Sequence, residues 1–231
     1  METVVIELPQ ENEVEGAHTS YVYFWEELGP AMIEFFLHGF GCSGQDFQKF
    51  WPERPDGHVR FFLNGPEHDP LTTGRRWFEF TSLPETIASR LGGAADNAEK
   101  QIRRVLSSSH HAEHEGIVLV GHSQGAMVSM ELVRRFSLSI AKAYCYAGFL
   151  PPEMFAQRQQ RQEGSVELNI FSSTADHFVR HDKVLETANC FRAMPGVSVR
   201  HHKASVVSHG FSSKWLDTSN FILLGGENEN C

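Results

Sequence analysis

The residues best placed to do chemistry lie in the pentapeptide Gly121-His122-Ser123-Gln124-Gly125, which ends an apolar run. A predicted strand that stops at a serine between two glycines, and then turns into a helical pattern, is typical of a nucleophile elbow. Glycines relieve the crowding at such a turn, and the backbone N–H of Gln124 would point to where negative charge develops above Ser123. The pattern predicts a nucleophilic serine at position 123. The alternative is a serine that only caps a helix.

A nucleophilic serine needs a histidine as general base and an acid that orients the histidine. In α/β folds with this elbow, the acid and then the histidine follow the serine along the chain, each after a strand. Asp176 directly follows a strand predicted at 166–172, and His209 lies between the last predicted strand and the last predicted helix. The order predicts Ser123, Asp176 and His209 as the catalytic residues, although Asp176 or His209 alone could be an ordinary loop residue.

A second glycine-rich loop, His38-Gly39-Phe40-Gly41, follows a short apolar strand predicted at 31–37. Because glycines let a backbone approach a ligand closely, we predict that the N–H groups of Phe40 and Gln124 form an oxyanion hole. The alternative is a turn that only leads into the helix predicted at 45–51. We expect His38 to support the loop rather than to react.

Two segments carry apolar side chains suited to a substrate pocket. One is the segment 64–83, which is long for a loop in a compact domain and which we interpret as lid-like. The other follows a strand predicted at 142–147. The predicted substrate-binding residues are Leu71, Trp77, Phe78, Phe149 and Leu150. In the first segment, Arg75 and Arg76 would either meet an anionic group or only be solvated.

The elements that must position these residues alternate between strand and helix patterns. Besides the elbow strand, further strands are predicted at 59–63 and 197–202, and helices at 84–108 and 179–192. Such alternation predicts one α/β domain over residues 1–231, with a mostly parallel sheet and helices on both faces. Opening strands are predicted at 3–8 and 18–25, a closing helix at 211–224 and a flexible tail at 225–231.

Composition excludes several classes of function. The formal net charge of -9 argues against a nucleic-acid binder. The four cysteines lack CxxC spacing, so neither a disulfide framework nor a zinc site is indicated, and we expect a reduced, cytoplasmic protein. No apolar run approaches the roughly 18 residues of a membrane span, so we expect no integral membrane association. The histidine-rich segment 110–114 does not match the His-Glu-x-x-His motif and lies in a polar connection before the elbow strand, so we predict no metal and no cofactor.

Together these motifs resemble the phospholipase/carboxylesterase family of α/β-hydrolases, which includes acyl-protein thioesterases and small carboxylesterases. The resemblance runs from about Ile33 to the final helix. It is carried by Leu37-His38-Gly39-Phe40-Gly41, Asn64-Gly65-Pro66, Trp77-Phe78-Glu79, the elbow pentapeptide, Asp176 with Val179, and Ser208-His209-Gly210. His122 departs from the family pattern, which usually has Phe or another bulky residue at this position.

The resemblance implies an α/β-hydrolase fold and hydrolysis of carboxylic esters or thioesters with short to medium acyl chains. It also implies the triad Ser123, Asp176 and His209, with Phe40 and Gln124 as oxyanion donors. The substrate would be a small molecule or an acylated protein, and the protein a monomer or homodimer. Two alternatives stay open: a related lactonase or peptidase, and a non-catalytic module that binds a ligand or protein on the same fold.

Overall fold

A computed structural model describes residues 32–51, 59–80, 84–108, 116–156, 165–205 and 207–211. Five segments predicted above lie outside these residues: the strands at 3–8 and 18–25, the histidine-rich segment 110–114, the closing helix beyond Phe211, and the tail. Within the described ranges, no helix has the length and apolar character needed to cross a membrane.

Six parallel strands form one sheet in the order β2-β1-β5-β6-β7-β8. They are β1 (Ile33–Leu37), β2 (Val59–Leu63), β5 (Ile117–His122), β6 (Ile140–Tyr146), β7 (Val166–Ser173) and β8 (Val197–Ala204). β1 and β5 are buried along their whole length, as expected of central strands covered on both faces. The prediction of a mostly parallel sheet is confirmed.

The order of the strands reverses between β1 and β5. From β1 the chain moves outward to β2, whereas from β5 it moves the other way to β6. In open parallel sheets, ligands bind outside the carboxyl ends of the strands at such a switch point. The glycine-rich loop follows β1 and Ser123 follows β5, so the topology brings together the loops with the strongest chemical patterns.

Four α-helices lie in the described residues: α1 (Gly44–Gln48), α2 (Pro84–Ser108), α3 (Gln124–Arg135) and α4 (His181–Arg192). A short 3-10 helix spans Pro152–Phe155. The bounds of α2 are as predicted. α1 is shorter than the predicted helix 45–51; it begins after Ser43, whose side chain accepts from the N–H of Asp46.

Successive side chains along the strands pack into two separate apolar cores, one on each face of the sheet. On one face, side chains such as Phe35 and Leu119 pack with buried residues of α2, α3 and α4. On the other face, Phe36 and Val120 pack with Phe47 of α1 and with residues that include Trp51, Tyr146, Val207 and Phe211. Helices on both faces of the sheet are therefore confirmed.

A separate two-stranded ladder, β3 (Glu67–His68) with β4 (Arg75–Arg76), lies in the segment between β2 and α2. The segment 64–83 is therefore partly ordered as a hairpin, and residues 81–83 lie outside the described part of the chain. Its lid-like behaviour stays a prediction.

Candidate active site

The turn between β5 and α3 holds Ser123 in a conformation that few side chains adopt. Its φ is 52° and its ψ is -116°, which is costly for a residue with a β-carbon and persists only where packing enforces it. A β-carbon on Gly121 would lie 2.5 Å from the carbonyl oxygen of Gly125. One on Gly125 would lie 2.6 Å from the carbonyl oxygen of His38 and still closer to that of Leu37. Both glycines of the pentapeptide are therefore sterically required.

The structure brings Ser123, His209 and Asp176 into one hydrogen-bonded line. The Oγ atom of Ser123 lies 2.9 Å from Nε2 of His209, and Nδ1 of His209 lies 2.8 Å from Oδ2 of Asp176. A carboxylate can only accept, so Nδ1 of His209 carries the proton. In the neutral ring Nε2 is then an acceptor, and the Ser123 hydroxyl donates to it.

The carboxylate of Asp176 has three hydrogen-bond donors around it. Oδ2 accepts from His209, and Oδ1 accepts from the backbone N–H groups of Phe178 and Val179, each at 2.9 Å. Burial alone would raise the pKa of Asp176, but the hydrogen bonds from His209, Val179 and Phe178 outweigh burial and keep the pKa below its usual value. The group is therefore a carboxylate at neutral pH.

The loop after β1 lies directly beside the elbow. A β-carbon on Gly39 would be 3.4 Å from Cβ of Ser123, so the next residue, Phe40, sits at the edge of the candidate site. Nε2 of His38 accepts from the N–H of Gly65 at 3.0 Å, and its Nδ1 donates to the carbonyl of Gly39 at 2.7 Å. His38 supports the loop, as predicted. The roles of the Phe40 and Gln124 N–H groups in an oxyanion hole stay predictions.

The side chain of Gln124 has a second role that the sequence did not indicate. Its Oε1 accepts from the N–H of Trp77 at 3.1 Å, and its Nε2 donates to the carbonyl of Phe78 at 2.8 Å. The Trp77 ring adds a bond of 2.9 Å from Nε1 to the carbonyl of His38. The residue after the candidate nucleophile thus joins the segment 64–80 to the elbow.

Arg75 takes neither of the two roles considered from the sequence, contact with an anionic group or simple solvation. It is buried, and its guanidinium donates to the carbonyls of Gly65 and Pro66 and hydrogen-bonds His68. Its backbone also pairs with Gly41 and Cys42 across a short bridge. Arg75 is therefore a structural residue of this segment. Arg76 is half-buried and pairs with Glu67 at 2.8 Å.

The five predicted substrate-binding residues separate into different environments. Trp77, Phe78 and Leu150 are buried in the core and offer almost no surface to a ligand in this structure. Phe149 is partly buried against the same core, and Leu71 is 87% exposed. Contact between any of these residues and a substrate stays a prediction.

Phe178 is a residue of the site that sequence reasoning missed. It is 83% exposed, and its ring centroid lies 5.3 Å from that of His209. The available signal was its position two residues after Asp176, on the loop that must approach the histidine. Among the described residues, no group of His, Cys, Asp and Glu side chains is arranged to hold a metal ion.

Comparisons with known proteins show which family the chain resembles over most of its length. A family model described as Phospholipase/Carboxylesterase matches residues 30–214. Acyl-protein thioesterase 1 of Debaryomyces hansenii is 24% identical over 205 residues, which cover 81% of this chain and 88% of that protein.

Many solved structures are similar to most of the chain, esterase PE8 and a plant acyl-protein thioesterase among them. Esterase PE8 superposes with a TM-score of 0.72 at 19% identity, covering 85% of this chain and 93% of its own. Acyl-protein thioesterase 2 of Zea mays superposes with a TM-score of 0.67 at 15% identity, covering 91% of this chain and 99% of its own. At such identities the likeness establishes the fold alone.

Proposed function

The chain belongs to the phospholipase/carboxylesterase family, and from this premise we propose that it cleaves carboxylic esters or thioesters of short to medium acyl chains through Ser123, His209 and Asp176. Its family makes it an enzyme of the carboxylesterase and acyl-protein thioesterase type with the α/β-hydrolase fold. The observation that carries the proposal is the line of hydrogen bonds from Ser123 Oγ through His209 to Asp176, with lengths of 2.9 and 2.8 Å.

In the first half-reaction, Ser123 Oγ attacks the acyl carbonyl carbon while Nε2 of His209 takes the hydroxyl proton. Asp176 accepts from Nδ1 and stabilises the imidazolium. The oxyanion of the tetrahedral intermediate accepts from the N–H groups of Phe40 and Gln124. When the intermediate collapses, the bond to the leaving oxygen or sulfur breaks, and His209 returns its proton to that atom.

In the second half-reaction, water attacks the acyl-enzyme. His209 takes a proton from the water, the second tetrahedral intermediate forms in the same oxyanion hole, and collapse releases the carboxylic acid. The proton then returns to Ser123 Oγ. Each cycle consumes one water and leaves the enzyme unchanged, with no step that needs a metal or cofactor.

Apolar surface near the candidate nucleophile supports an acyl substrate. The Phe178 ring lies 5.3 Å from the His209 ring, tilted by 44°, and is mostly exposed, and Phe40 is partly exposed on the loop beside Ser123. Leu71 is exposed on the neighbouring segment, where a β-carbon on Gly41 would lie 3.4 Å from the side chain of Thr72. An acyl chain or an apolar leaving group could bury part of this surface, which favours hydrophobic over charged esters.

The test is turnover of p-nitrophenyl esters of increasing chain length, together with an acyl-CoA and a palmitoylated peptide as thioesters. Ser123→Ala should abolish turnover and labelling by a fluorophosphonate probe, because both require the nucleophile. Ser107→Ala is the matched control, because Ser107 is exposed at the end of α2. This variant should be labelled by the probe and should hydrolyse the esters like the wild type.

Folded wild-type protein that neither labels nor turns over any ester would refute the proposal and favour a non-catalytic module. Labelling that persists in Ser123→Ala would place the nucleophile elsewhere. If peptides or lactones are cleaved faster than all acyclic esters and thioesters, the triad stands but the substrate class is wrong.

A further inference from the structure

His122, immediately before Ser123 at the end of β5, has a buried side chain that the mechanism above does not use. Alternation along β5 puts it on the sheet face of Val118 and Val120. One edge of the ring faces Gly39, where a β-carbon would come within 2.8 Å of the Nδ1 atom of His122. The ring fits because position 39 has no side chain.

The other edge of the ring faces the loop that carries His209. Nε2 of His122 lies 2.8 Å from the backbone carbonyl oxygen of His209. A carbonyl can only accept, so Nε2 carries the proton and donates to it. Burial, and after it the neighbouring His209, lowers the pKa of His122 to about 4. The donor is therefore neutral at pH 7 and adds no positive charge beside His209 when that ring takes a proton.

Within the described part of the chain, three side chains hydrogen-bond the loop 207–211. They are the side chains of Ser123, Asp176 and His122. The bonds from Ser123 and Asp176 reach the His209 ring, whereas His122 bonds its backbone. Among the described residues, the bond from His122 is therefore the one that reaches the backbone from which the His209 ring extends.

Aromatic packing supports the same contact. The His122 ring lies 5.4 Å from that of His209 and 5.2 Å from that of Phe211, which is two residues further along the loop. Phe211 in turn packs edge-on against Phe47 of α1 at 4.9 Å. His122 therefore sits between the elbow and the histidine loop, in contact with both.

We propose that His122 is a positioning residue that fixes the backbone of His209 while Asp176 fixes its ring. The proposal rests on the proposed function, because the position of His209 matters for turnover only if His209 is the base. The position of Nε2 of His209 depends on the backbone of His209 as well as on its side-chain torsions, so the bonds from His122 and from Asp176 are both needed. Misplacement of a catalytic group by about 1 Å can cost about 100-fold in rate.

The experiment compares His122→Met with His122→Gln. Gln places an amide N–H close to where Nε2 of His122 stands, whereas Met has similar length and volume but no donor, and its flexible chain fills irregular space. With p-nitrophenyl acetate, we expect kcat of His122→Met to fall about 10- to 100-fold. KM should change less than about twofold, because the His122 side chain is buried and its proposed role concerns the base rather than substrate binding. Gln should restore kcat to within about threefold of the wild type.

Hydrogen–deuterium exchange gives a readout that does not depend on activity. Amides of 207–211 should exchange faster in His122→Met than in the wild type or in His122→Gln, while amides of β5 and α3 stay protected. A purely structural role would speed exchange throughout the core. The double variant of His122→Met with Asp176→Asn should lose less than the product of the two single losses, since both changes displace one ring.

Equal kcat and equal exchange in the Met and Gln variants would overturn the proposal. So would a loss in His122→Met that is carried by KM alone. Inactive wild-type protein would instead refute the proposed function, and the exchange comparison would still decide whether His122 holds the His209 backbone.

Discussion

The elbow around Ser123 and the loop around His209 hold their residues in different ways. At the elbow, glycines at 121 and 125 let backbones touch, and Ser123 has a φ of 52° that the surrounding strand and helix enforce. In the loop 207–211, the hydrogen bonds made within the described residues come from side chains of other parts of the fold. The candidate nucleophile is thus placed mainly by steric exclusion and the candidate base mainly by hydrogen bonding.

The two modes should respond differently to substitution. A change that adds atoms to the elbow must displace backbone in a packed core, so its cost appears in the free energy of unfolding. A change that removes a bond to the loop leaves the core intact and moves one ring, so its cost appears in kcat. The following predictions test this division, from the largest expected effect to the smallest.

Asp176→Asn is the largest change on the loop side. The amide oxygen can still accept from the N–H groups of Phe178 and Val179, so folding should survive. The amide no longer enforces the tautomer in which Nε2 of His209 accepts, and kcat for p-nitrophenyl acetate should fall about 10⁴-fold. Steady-state kinetics beside thermal unfolding measure both quantities. A loss below about tenfold would contradict the assigned role of Asp176.

Gly125→Ala is the largest change on the elbow side. The new methyl group would meet the carbonyls of Leu37 and His38 in a turn that has no room to expand. We expect the free energy of unfolding to drop by about 3 kcal/mol or more, measured by urea denaturation. If the variant unfolds at the wild-type midpoint and only kcat falls, the steric account of the elbow is wrong.

Acid should destabilise the protein through its buried histidines. Burial lowers the pKa of His38 and of His122 from 6.5 to about 4. The unfolded chain binds these protons near pH 6.5 and the folded chain only near pH 4. Their contribution is therefore complete above pH 6.5 and is lost as the pH falls to 4, by about 2 to 4 kcal/mol for each histidine.

Urea denaturation at several pH values measures this slope. His122→Gln is the matched variant, because it keeps a donor at the position but cannot titrate, and its stability should fall less steeply between pH 6.5 and 4. An unchanged slope in that variant would show that His122 does not contribute to the acid sensitivity.

Gln124→Met tests the bonds between the elbow and the segment 64–80. The substitution leaves the N–H of Trp77 and the carbonyl of Phe78 without their partner, which should cost about 2 kcal/mol of unfolding free energy. The backbone N–H of residue 124 is unchanged, so any accompanying loss of kcat reports displacement of the neighbouring loop. Stability equal to that of the wild type would mean that the side chain does not hold the segment.

Gly93→Ala is the smallest expected effect and the control for Gly125→Ala. A β-carbon at position 93 of α2 would meet nothing within 4 Å, and alanine favours the helix over glycine. We expect a gain of about 0.5 to 1 kcal/mol in unfolding free energy with unchanged kcat. A loss at both glycines would indicate that backbone crowding is not what distinguishes the elbow.

Much of the fold was predictable because its signals are local. Helix α2 and strand β2 have the predicted bounds, since apolar periodicity and flanking residues lie within the segments themselves. The proximity of Ser123, Asp176 and His209 followed from their order at strand ends, which topology alone brings to one edge of the sheet. The elbow glycines followed from steric rules that hold wherever such a turn occurs.

The tertiary structure decided which distant backbone groups each polar side chain meets. Arg75 proved to be buried against carbonyls, Gln124 to hold Trp77 and Phe78, and His122 to bond the carbonyl of His209. Apolar residues of one segment likewise give no sequence signal for their burial, yet Trp77 is buried and Leu71 is exposed. Hydrogen bonds and burial depend on partners far away in the chain, so periodicity and motif spacing could indicate the candidate triad residues but not what surrounds them.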